Sequence, residues 1–263
     1  MNGLATQESI RLSADRENTA TAQTTPWDAK VFGFNTGMIA DLAIASEDGG
    51  RRLLGAIDDW AAAKALKCVT VTVAIGDLRA IHLLEAAGFH YYETKISPTV
   101  KLDGYEIDEN ALLPLRPAGP GDQAAIEQIA LRSISHGHFH HDPNLGAGLA
   151  SDRYREWARN LINEGTNDIF VLDDDQGGIR AFMICRRAKD TVEFVLGGFA
   201  EENHTGGLGY GFCLTVLQTM KARGLKKVVT TIALSNLPVL SLYSRLRFKL
   251  IRPEVTLRKW YQA

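Results

Sequence analysis

The stretch VEFVLGGFAEENHTGGLGYGFCLTVL, Val192 to Leu217, decides the fold of this chain. An apolar, β-branched run passes through a polar turn into a glycine-rich segment, and a further apolar run follows. This order predicts a strand, a glycine loop and a helix that begins at the loop. Glycines at the start of a helix let backbone N–H groups approach an anion closely, and the helix dipole favours negative charge there. The stretch therefore predicts a phosphate-binding loop, although it contains neither a GK[ST] sequence nor a convincing dinucleotide fingerprint.

The part of the chain that follows this loop has a counterpart earlier in the sequence. CLTVLQTMKARGLKKVVTTIALSNLPVLSLYSRLRFK, from Cys213, is similar to LLGAIDDWAAAKALKCVTVTVAIGDLRAIHLLEAAGFH, from Leu53, as helix, strand and second helix. A spacing of about 160 residues is far longer than a solenoid repeat, so the pattern indicates a duplicated α/β module. Tyr243 in the second copy aligns with Leu84 in the first, and only the second copy follows a strong glycine loop. We therefore expect the second copy to hold a site that the first has lost.

The repeat and the turn residues between its copies predict two domains. A boundary near LDGYEIDENALL separates an N-terminal domain, residues 26–108, from a C-terminal domain, residues 112–263. Residues 1–25 are polar and lack a long apolar run, so they are predicted to form a disordered tail. Strands alternate with amphipathic helices in both copies, which predicts an α/β (α+β) fold class.

Composition and charge exclude several classes of protein. The 263 residues are 45% hydrophobic and 23% charged with a formal net charge of -2, which suits a soluble protein and not a general nucleic-acid binder. No apolar run has the length of a secretory signal or a membrane span, so we expect a cytoplasmic protein without membrane contact. Cys68, Cys185 and Cys213 lie far apart in the sequence and are expected to be free thiols.

Two motifs resemble those of a known superfamily. His204-x-x-Gly207-x-Gly209 resembles the [RQ]-x-x-G-x-[GA] loop of the GNAT superfamily of acyl-CoA N-acyltransferases, with His204 in place of Arg or Gln. SNLPVLSLYSRLRF resembles the closing motif of the same superfamily, N-x-x-A-x-x-L-Y-x-x-x-G-F. The matching residues are Asn236, Leu242, Tyr243 and Phe248, and the departures are Val239 and Arg247. Because the two motifs occur in the superfamily's order, together they are more specific than either alone.

This resemblance implies two GNAT-like domains, each a mixed twisted sheet flanked by helices, of which the first is degenerate. It implies acetyl-CoA or another short acyl-CoA as the co-substrate, bound without a metal. The implied cofactor-binding residues are Phe194, Leu196, Gly197, Gly206, Gly207, Gly209, Tyr210, Gly211 and Asn236. Tyr243 is implied to be the general acid that protonates the departing thiolate, which fits reference pKa values of about 10 for tyrosine and 8.5 for a thiol. The alternative is a buried helix tyrosine whose hydroxyl bonds elsewhere.

Two further stretches resemble the two-domain GNAT enzymes that acetylate dTDP-4-amino-4,6-dideoxy-D-galactose (dTDP-fucosamine). PWDAKVFGFNTGMI is similar to their W-D-[SA]-x-F-F-G opening, and HGHFHHDPNLGAGLASDRYREWARN to their F-H-x-D-P loop and Y-x-x-W helix. The matching residues are Trp27, Asp28, Phe32, Gly33, Phe139, His140, Asp142, Pro143, Tyr154 and Trp157. The implied acceptor is a nucleotide-linked amino sugar for polysaccharide biosynthesis. The implied substrate-binding residues are His138, His140, Asp142 and Tyr154.

The histidines of this second stretch permit another interpretation. His136, His138 and His140 alternate, so an extended segment would place them on one face as metal ligands. No cysteine pair or HExxH motif accompanies them, so the metal interpretation carries less weight. For the general base, His140 and Glu193 are candidates by residue type only.

Two other functions stay open at this point. A GNAT enzyme can acylate a peptide, an antibiotic or another small-molecule amine on the same fold. A non-catalytic acyl-CoA-binding protein is the third alternative, and the retained tyrosine and glycine loop count against it. The expected partners are a small-molecule acceptor and, in a homodimer, a second copy of the chain.

Overall fold

The computed structural model describes residues 7–133, 137–146, 148–200 and 207–261 of the chain. Within these residues the strands are β1 (Ser9–Ser13), β2 (Thr19–Thr24), β3 (Thr36–Ala43), β4 (Cys68–Ala74), β5 (His90–Lys101), β6 (Leu115–Pro117), β7 (Asp168–Asp173), β8 (Ile179–Ala188), β9 (Thr191–Phe199), β10 (Lys227–Thr230), β11 (Ile232–Ala233) and β12 (Lys249–Trp260). The helices are α1 (Pro26–Phe32), α2 (Glu47–Ala63), α3 (Leu78–Ala86), α4 (Gln123–Ser133), α5 (Leu149–Asn163), α6 (Leu208–Ala222) and α7 (Leu237–Arg245). The predicted mixed α/β class is confirmed.

The chain divides into two compact units that are not consecutive in sequence. Unit 1 comprises Met1–Lys95, His141–Leu145 and Pro253–Ala263, and unit 2 comprises Ile96–His140 and Gly146–Arg252. The predicted consecutive ranges, 26–108 and 112–263, therefore differ from the observed units. The repeat identified the elements of each copy but not their strand partners, because strand pairing is decided by tertiary contacts rather than by local periodicity.

Unit 1 is built on a mixed sheet with the strand order β1-β2-β3-β4-β12. β3 and β4 are parallel, and the other neighbours are antiparallel. Leu53, Ile57 and Trp60 recur at helical spacing along α2, so they form one apolar face that is buried in the core of this unit. Leu84 of α3 is buried in the same core.

Unit 2 is built on a mixed sheet with the strand order β5-β10-β9-β8-β7-β6. β9 and β10 are parallel, and the other neighbours in this order are antiparallel. Helices cover both faces: α6 and α7 bury Phe212 and Leu217 on one side, and α4 and α5 bury Ile126 and Leu161 on the other. β9 and α6 therefore flank the predicted glycine loop, as the sequence pattern indicated.

Each sheet is completed by the last strand of the other repeat. α3 leads into β5, but β5 pairs antiparallel with β10 between Thr99 and Lys101. α7 leads into β12, but β12 pairs antiparallel with β4 between Glu254 and Trp260. Neither repeat therefore contains every strand of its own sheet, and this exchange explains why the units are not consecutive.

The prediction of a disordered tail over residues 1–25 is wrong for the part that forms β1 and β2. These strands pair antiparallel from Ser9↔Gln23 to Ser13↔Thr19. Ala20 and Ala22 are buried at 1% and 0% exposure. Alanine alternates with threonine here, so the strand has the two-residue period but no large apolar side chain to reveal it.

Candidate active site

The parallel strands β9 and β10 separate part-way along β9. Their register ends at the pair Phe194 and Thr230, whereas β9 continues to Phe199. In the described part of the chain, residues 195–199 have no register partner in β10. This edge of β9 therefore offers backbone N–H and C=O groups that an extended ligand can pair with.

A β-bulge lies at the point of separation. On the other side of β9, Phe194 pairs with Cys185 and Leu196 with Ile184, so Val195 is an extra residue. The bulge moves Phe194 and Leu196 into the two different cores of unit 2. Because both side chains are buried, at 3% and 6% exposure, these two predicted cofactor residues can offer a ligand only their backbone.

Tyr243 of α7 places its hydroxyl at this same point. Its ring is 5% exposed and packs against Phe248, with 4.7 Å between the centroids. Its hydroxyl is hydrogen-bonded to the side chain of Thr230, and Thr230 Oγ1 donates to the carbonyl of Phe194 at 2.9 Å. Burial raises the pKa of Tyr243 well above its ordinary value. The separation point therefore carries a phenol that stays protonated in alkaline solution.

Among the described residues, no side chain caps the first turn of α6. Gly207 is the N-cap in a left-handed conformation, φ 88°, which glycine adopts without a steric penalty. The helix makes its first recorded bond from the N–H of Gly211 to the carbonyl of Gly207 at 2.9 Å. The N–H groups of Leu208, Gly209 and Tyr210 thus have no intrahelical partner, and no acidic residue lies in this turn. This end of α6 suits an anion.

The other predicted glycines have different surroundings. A Cβ at Gly209 would meet only ordinary contacts at 3.6 Å, whereas one at Gly211 would lie 2.5 Å from the carbonyl oxygen of Ala111. Gly211 is therefore required for packing against Ala111, and its predicted contact with the cofactor stays a prediction. Gly197, beyond the bulge on β9, is exposed. Gly206 and His204 lie outside the described residues.

Asn236 has a structural role that the resemblance did not imply. It is the N-cap of α7, and its Oδ1 accepts from the N–H of Val239 at 3.3 Å. This bond satisfies one of the free N–H groups at the start of the helix that carries Tyr243. Its side-chain oxygen is therefore engaged within the protein.

Unit 1 also contains two parallel strands, β3 and β4, that separate before either strand ends. The register of β3 with β4 ends at Ile39 and Val71, although both strands continue. The pairing of β3 with β2 is irregular next to Asp41, which has a positive φ of 49°. A strand irregularity, a turn and a helix therefore follow one another as they do in unit 2.

The helix end in unit 1 is closed by the chain's own side chains. Ser46 caps α2 by accepting from the N–H of Gly49 at 3.2 Å. Asn18 Oδ1 accepts from the N–H of Ser46 at 3.3 Å and from that of the preceding residue at 2.9 Å. Glu47 and Asp48 add negative charge to the first turn. The chain's own side chains therefore offset the partial positive charge at this end of α2. This agrees with the prediction that the first copy is degenerate.

Three of the four predicted acceptor residues lie in one aromatic cluster of unit 2. The rings of His140 and Tyr154 are stacked, with 5.5 Å between centroids and 12° between planes. His140 Nε2 is 3.4 Å from Ser151 Oγ. His138 packs on Phe139 with 4.0 Å between centroids, and Arg153 lies 4.2 Å above the Phe139 ring and 5.9 Å from that of Tyr154. The cluster combines flat rings with hydrogen-bonding imidazoles.

Asp142, the fourth predicted acceptor residue, does not join this cluster. It belongs to unit 1, where its side chain is fully buried in an ion pair with the equally buried Arg258 of β12. Its carboxylate also accepts from Trp260 Nε1 at 3.1 Å and from the N–H of Asn144 at 2.9 Å. Both carboxylate oxygens of Asp142 thus bond to groups of the protein, and the substrate contact predicted for this residue stays a prediction. The signal that could have revealed the pair is the single arginine in the strand EVTLRKW.

The remaining candidates are engaged elsewhere. Glu193 lies 3.6 Å from Arg186 in an ion pair on the surface. Cys68, Cys185 and Cys213 are buried free thiols, and burial raises the pKa of Cys213 to about 12.

Within residues 7–133, 137–146, 148–200 and 207–261, no group of three or more His, Cys, Asp or Glu side chains is arranged to hold a metal ion. His136, one of the alternating histidines, is not among the described residues. None of the described helices has the length and apolarity that crossing a membrane requires.

Comparisons with known proteins agree with this architecture. No family model matches the sequence. Over 224 residues the chain is 22% identical to the spore coat polysaccharide biosynthesis protein SpsD of Bacillus subtilis (strain 168), covering 84% of this chain and 76% of that protein. A GCN5-related N-acetyltransferase from Sphaerobacter thermophilus matches the structure with a TM-score of 0.66 at 15% identity, over 92% of this chain and 76% of the other. A tandem GNAT protein from the clavulanic acid biosynthesis pathway matches with a TM-score of 0.66 at 14% identity, over 99% and 85%. These likenesses show that the chain has the fold of the GCN5-related N-acetyltransferases, in a tandem form.

Proposed function

We propose that the protein is an acyl-CoA-dependent N-acyltransferase. It moves an acetyl or other short acyl group from CoA to the amine of a nucleotide-linked amino-deoxy sugar, by direct transfer with Tyr243 as the general acid. The observation that carries this proposal is the separation of β9 from β10 at Phe194 and Thr230, where the buried hydroxyl of Tyr243 is hydrogen-bonded. An open strand edge and a protonated phenol at one point suit the breaking of a thioester.

The residues of unit 2 fit the co-substrate along one path. Acyl-CoA, when bound, supplies an activated acyl group as a thioester. The first N–H groups of α6 bind phosphate oxygens, because this helix end has partial positive charge and no side chain of the described residues caps it. The open edge of β9 after Phe194 hydrogen-bonds the amide groups of the pantetheine arm. Backbone N–H donors at this edge also stabilise negative charge on the reacting carbonyl oxygen.

Tyr243 supplies the proton that the departing sulfur accepts. The amine forms a C–N bond to the acyl carbon, the C–S bond breaks, and the Tyr243 hydroxyl delivers its proton to the sulfur. The amine loses its own proton to a base, for which His140 remains the better of the two candidates. Glu193 is less suited because its carboxylate is paired with Arg186.

The acceptor class is supported by the aromatic cluster and by one relative. The cluster gathers the aromatic rings of Tyr154 and Phe139 with the imidazoles of His138 and His140, residue types that bind flat bases and hydroxyl or phosphate groups. The relative in Bacillus subtilis is named a spore coat polysaccharide biosynthesis protein. A nucleotide-linked amino sugar combines these chemical features.

A thiol-release assay tests the proposed function. The protein is mixed with acetyl-CoA and screened against nucleotide-linked amino sugars, the same sugars without the nucleotide, and amine-bearing peptides. Turnover is expected with the nucleotide-linked sugars. Activity on peptides alone would contradict the acceptor class, and acetyl-CoA binding without turnover on any amine would favour a non-catalytic binding protein.

The closed end of α2 predicts how many co-substrate molecules bind. Calorimetric titration with acetyl-CoA is expected to give one site per chain, because Asn18 and Ser46 occupy the N–H groups that α6 leaves open. Hydrogen exchange is expected to show protection of the first turn of α6 and none at the first turn of α2. Two sites per chain, or protection at α2, would contradict this assignment.

A further inference from the structure

Gly198 lies on the part of β9 that has no register partner in β10, and it is buried against α4. A Cβ at this position would collide with Ser133 Oγ and would lie 3.1 Å from both Ile129 and the Phe182 ring. The φ of Gly198 is not in the left-handed region, so glycine is needed here for space rather than for conformation. The close approach brings a hydroxyl at the end of α4 beside the unpaired backbone of β9.

The Ser133 hydroxyl has no hydrogen-bond partner among the described residues, although its Oγ atom is buried. Helix hydroxyls commonly donate to a carbonyl one turn earlier. Those of Thr215 and Thr219 do so on α6, at 2.8 Å in each case. A buried hydroxyl without a partner costs free energy, because it has left water and gained no bond in return. A ligand that bonds to Ser133 Oγ would remove this cost.

The unpaired stretch of β9 faces two different layers of unit 2. Phe199 packs on Phe212 of α6 with 5.6 Å between the ring centroids, so alternate residues face the helix whose first turn suits an anion. Leu196 faces the other layer, in the core that α4 and α5 cover. Tyr154 of the aromatic cluster packs against that same core. Ser133 of α4 therefore lies on the side of β9 that the aromatic cluster shares, and not on the side of α6.

We propose that Ser133 binds the acceptor amine and orients it toward the thioester. The proposal rests on the proposed function, since it assigns a further acceptor-binding residue to that site. Ser133 Oγ accepts a hydrogen bond from one N–H of the neutral amine. This bond turns the nitrogen lone pair toward an acyl carbon that is held at the unpaired edge of β9. The C–N bond then forms as the C–S bond breaks, and the proton that the amine loses goes to the base, not to Ser133.

Ser133→Ala tests this assignment, with Thr219→Val as the matched control. Both substitutions remove one hydroxyl from a helix of unit 2, but that of Thr219 already donates to the carbonyl of Thr215. The acceptor is dTDP-4-amino-4,6-dideoxy-D-galactose, or the amine of the thiol-release screen that the wild type acetylates fastest. Thiol release gives kcat and KM for this acceptor, and thiol release without an amine gives the rate of hydrolysis. Calorimetry measures the affinity for acetyl-CoA, and thermal unfolding monitors the fold.

Ser133→Ala is expected to lower kcat/KM for the acceptor about fivefold, as the loss of one neutral hydrogen bond predicts. Its acetyl-CoA affinity and its rate of hydrolysis are expected to equal those of the wild type, because neither involves the amine. Its unfolding temperature is expected to be unchanged or higher, since the substitution removes a hydroxyl that bonds to none of the described residues. Thr219→Val is expected to keep the acceptor kinetics of the wild type.

Either of two results would overturn the role of Ser133. A kcat/KM for the acceptor within twofold of the wild type in folded Ser133→Ala would mean that the hydroxyl bonds to an ordered water and not to the amine. A weaker acetyl-CoA affinity with unchanged acceptor kinetics at saturating acetyl-CoA would place the hydroxyl against the co-substrate instead. If the wild type acetylates no amine at all, the proposed function itself fails, and the role of Ser133 fails with it.

Discussion

Replacing Tyr243 with Phe is expected to lower kcat by about two orders of magnitude or more, because a positioned general acid contributes about 10²–10⁴-fold. The substitution removes only the hydroxyl and keeps the ring that packs against Phe248. The fold and the affinity for acetyl-CoA are therefore expected to persist. Thiol release at saturating substrate measures kcat, and calorimetry measures the affinity.

Tyr105→Phe is the matched control for this substitution. Tyr105 is a partly buried tyrosine of unit 2, and its hydroxyl donates to the carbonyl of Leu246 at 3.0 Å. Its loss removes a hydrogen bond away from the separated strands, so kcat is expected to stay unchanged. Equal turnover of the two variants would leave Tyr243 with a packing role only.

The raised pKa of Tyr243 adds a pH dependence to the same prediction. The pKa of a free tyrosine is about 10. Burial favours the neutral phenol and raises the pKa of Tyr243, so its hydroxyl keeps its proton above that pH. The kcat of the wild type is therefore expected to show no alkaline decline from Tyr243 as pH approaches 10. A decline that is present in the wild type and absent in Tyr243→Phe would mean that this hydroxyl ionises earlier than its burial predicts.

Asp142→Ala is expected to lower the free energy of unfolding by about 3–5 kcal/mol, because it leaves the buried charge of Arg258 without its carboxylate counter-charge. The side chains of both residues are fully buried, so water cannot replace the lost carboxylate. Chemical denaturation measures the change. A loss of this size is a large part of the roughly 5–15 kcal/mol that stabilises a typical domain.

Two further variants show whether the buried charge is the cause. Asp58→Ala also removes a carboxylate that bonds to the end of the chain, through Lys259 Nζ at 2.8 Å, but the Asp58 side chain is 39% exposed. Its effect is expected to be smaller. The double variant Asp142→Leu with Arg258→Met removes both charges and is expected to recover most of the stability. A double variant as unstable as Asp142→Ala would contradict an origin in the unpaired charge.

The sequence predicted the local elements of the second copy well. The β-branched run before the glycines forms β9, and the glycine segment leads into α6 at Gly207, because strand propensity and glycine turns are local properties. The alignment of Tyr243 with Leu84 placed both residues on equivalent helices, where both are buried. Helical spacing predicts such positions without knowledge of the tertiary structure.

The sequence reported least where distant parts of the chain meet. Asp142 was assigned to the acceptor by its resemblance to an F-H-x-D-P loop, which gives no sign that Arg258 engages it from 116 residues away. Asn18 lies in a segment predicted to be disordered, although it closes the first turn of α2. The role of Gly211 depends on the carbonyl of Ala111. Each of these contacts requires tertiary coordinates, since no local pattern reports the partner.

The exchanged strands have a consequence for how the protein is made. Synthesis from the N-terminus delivers β1 to β4 early, but the partner of β4 is β12, whose pairing extends to Trp260. Unit 1 must therefore wait until β12 has left the ribosome, with one edge of β4 unpaired in the meantime. Unit 2 has β5 available before its other strands appear, and β10 is made before β12. Unit 2 can thus complete its sheet first, and unit 1 is finished only when β12 pairs with β4.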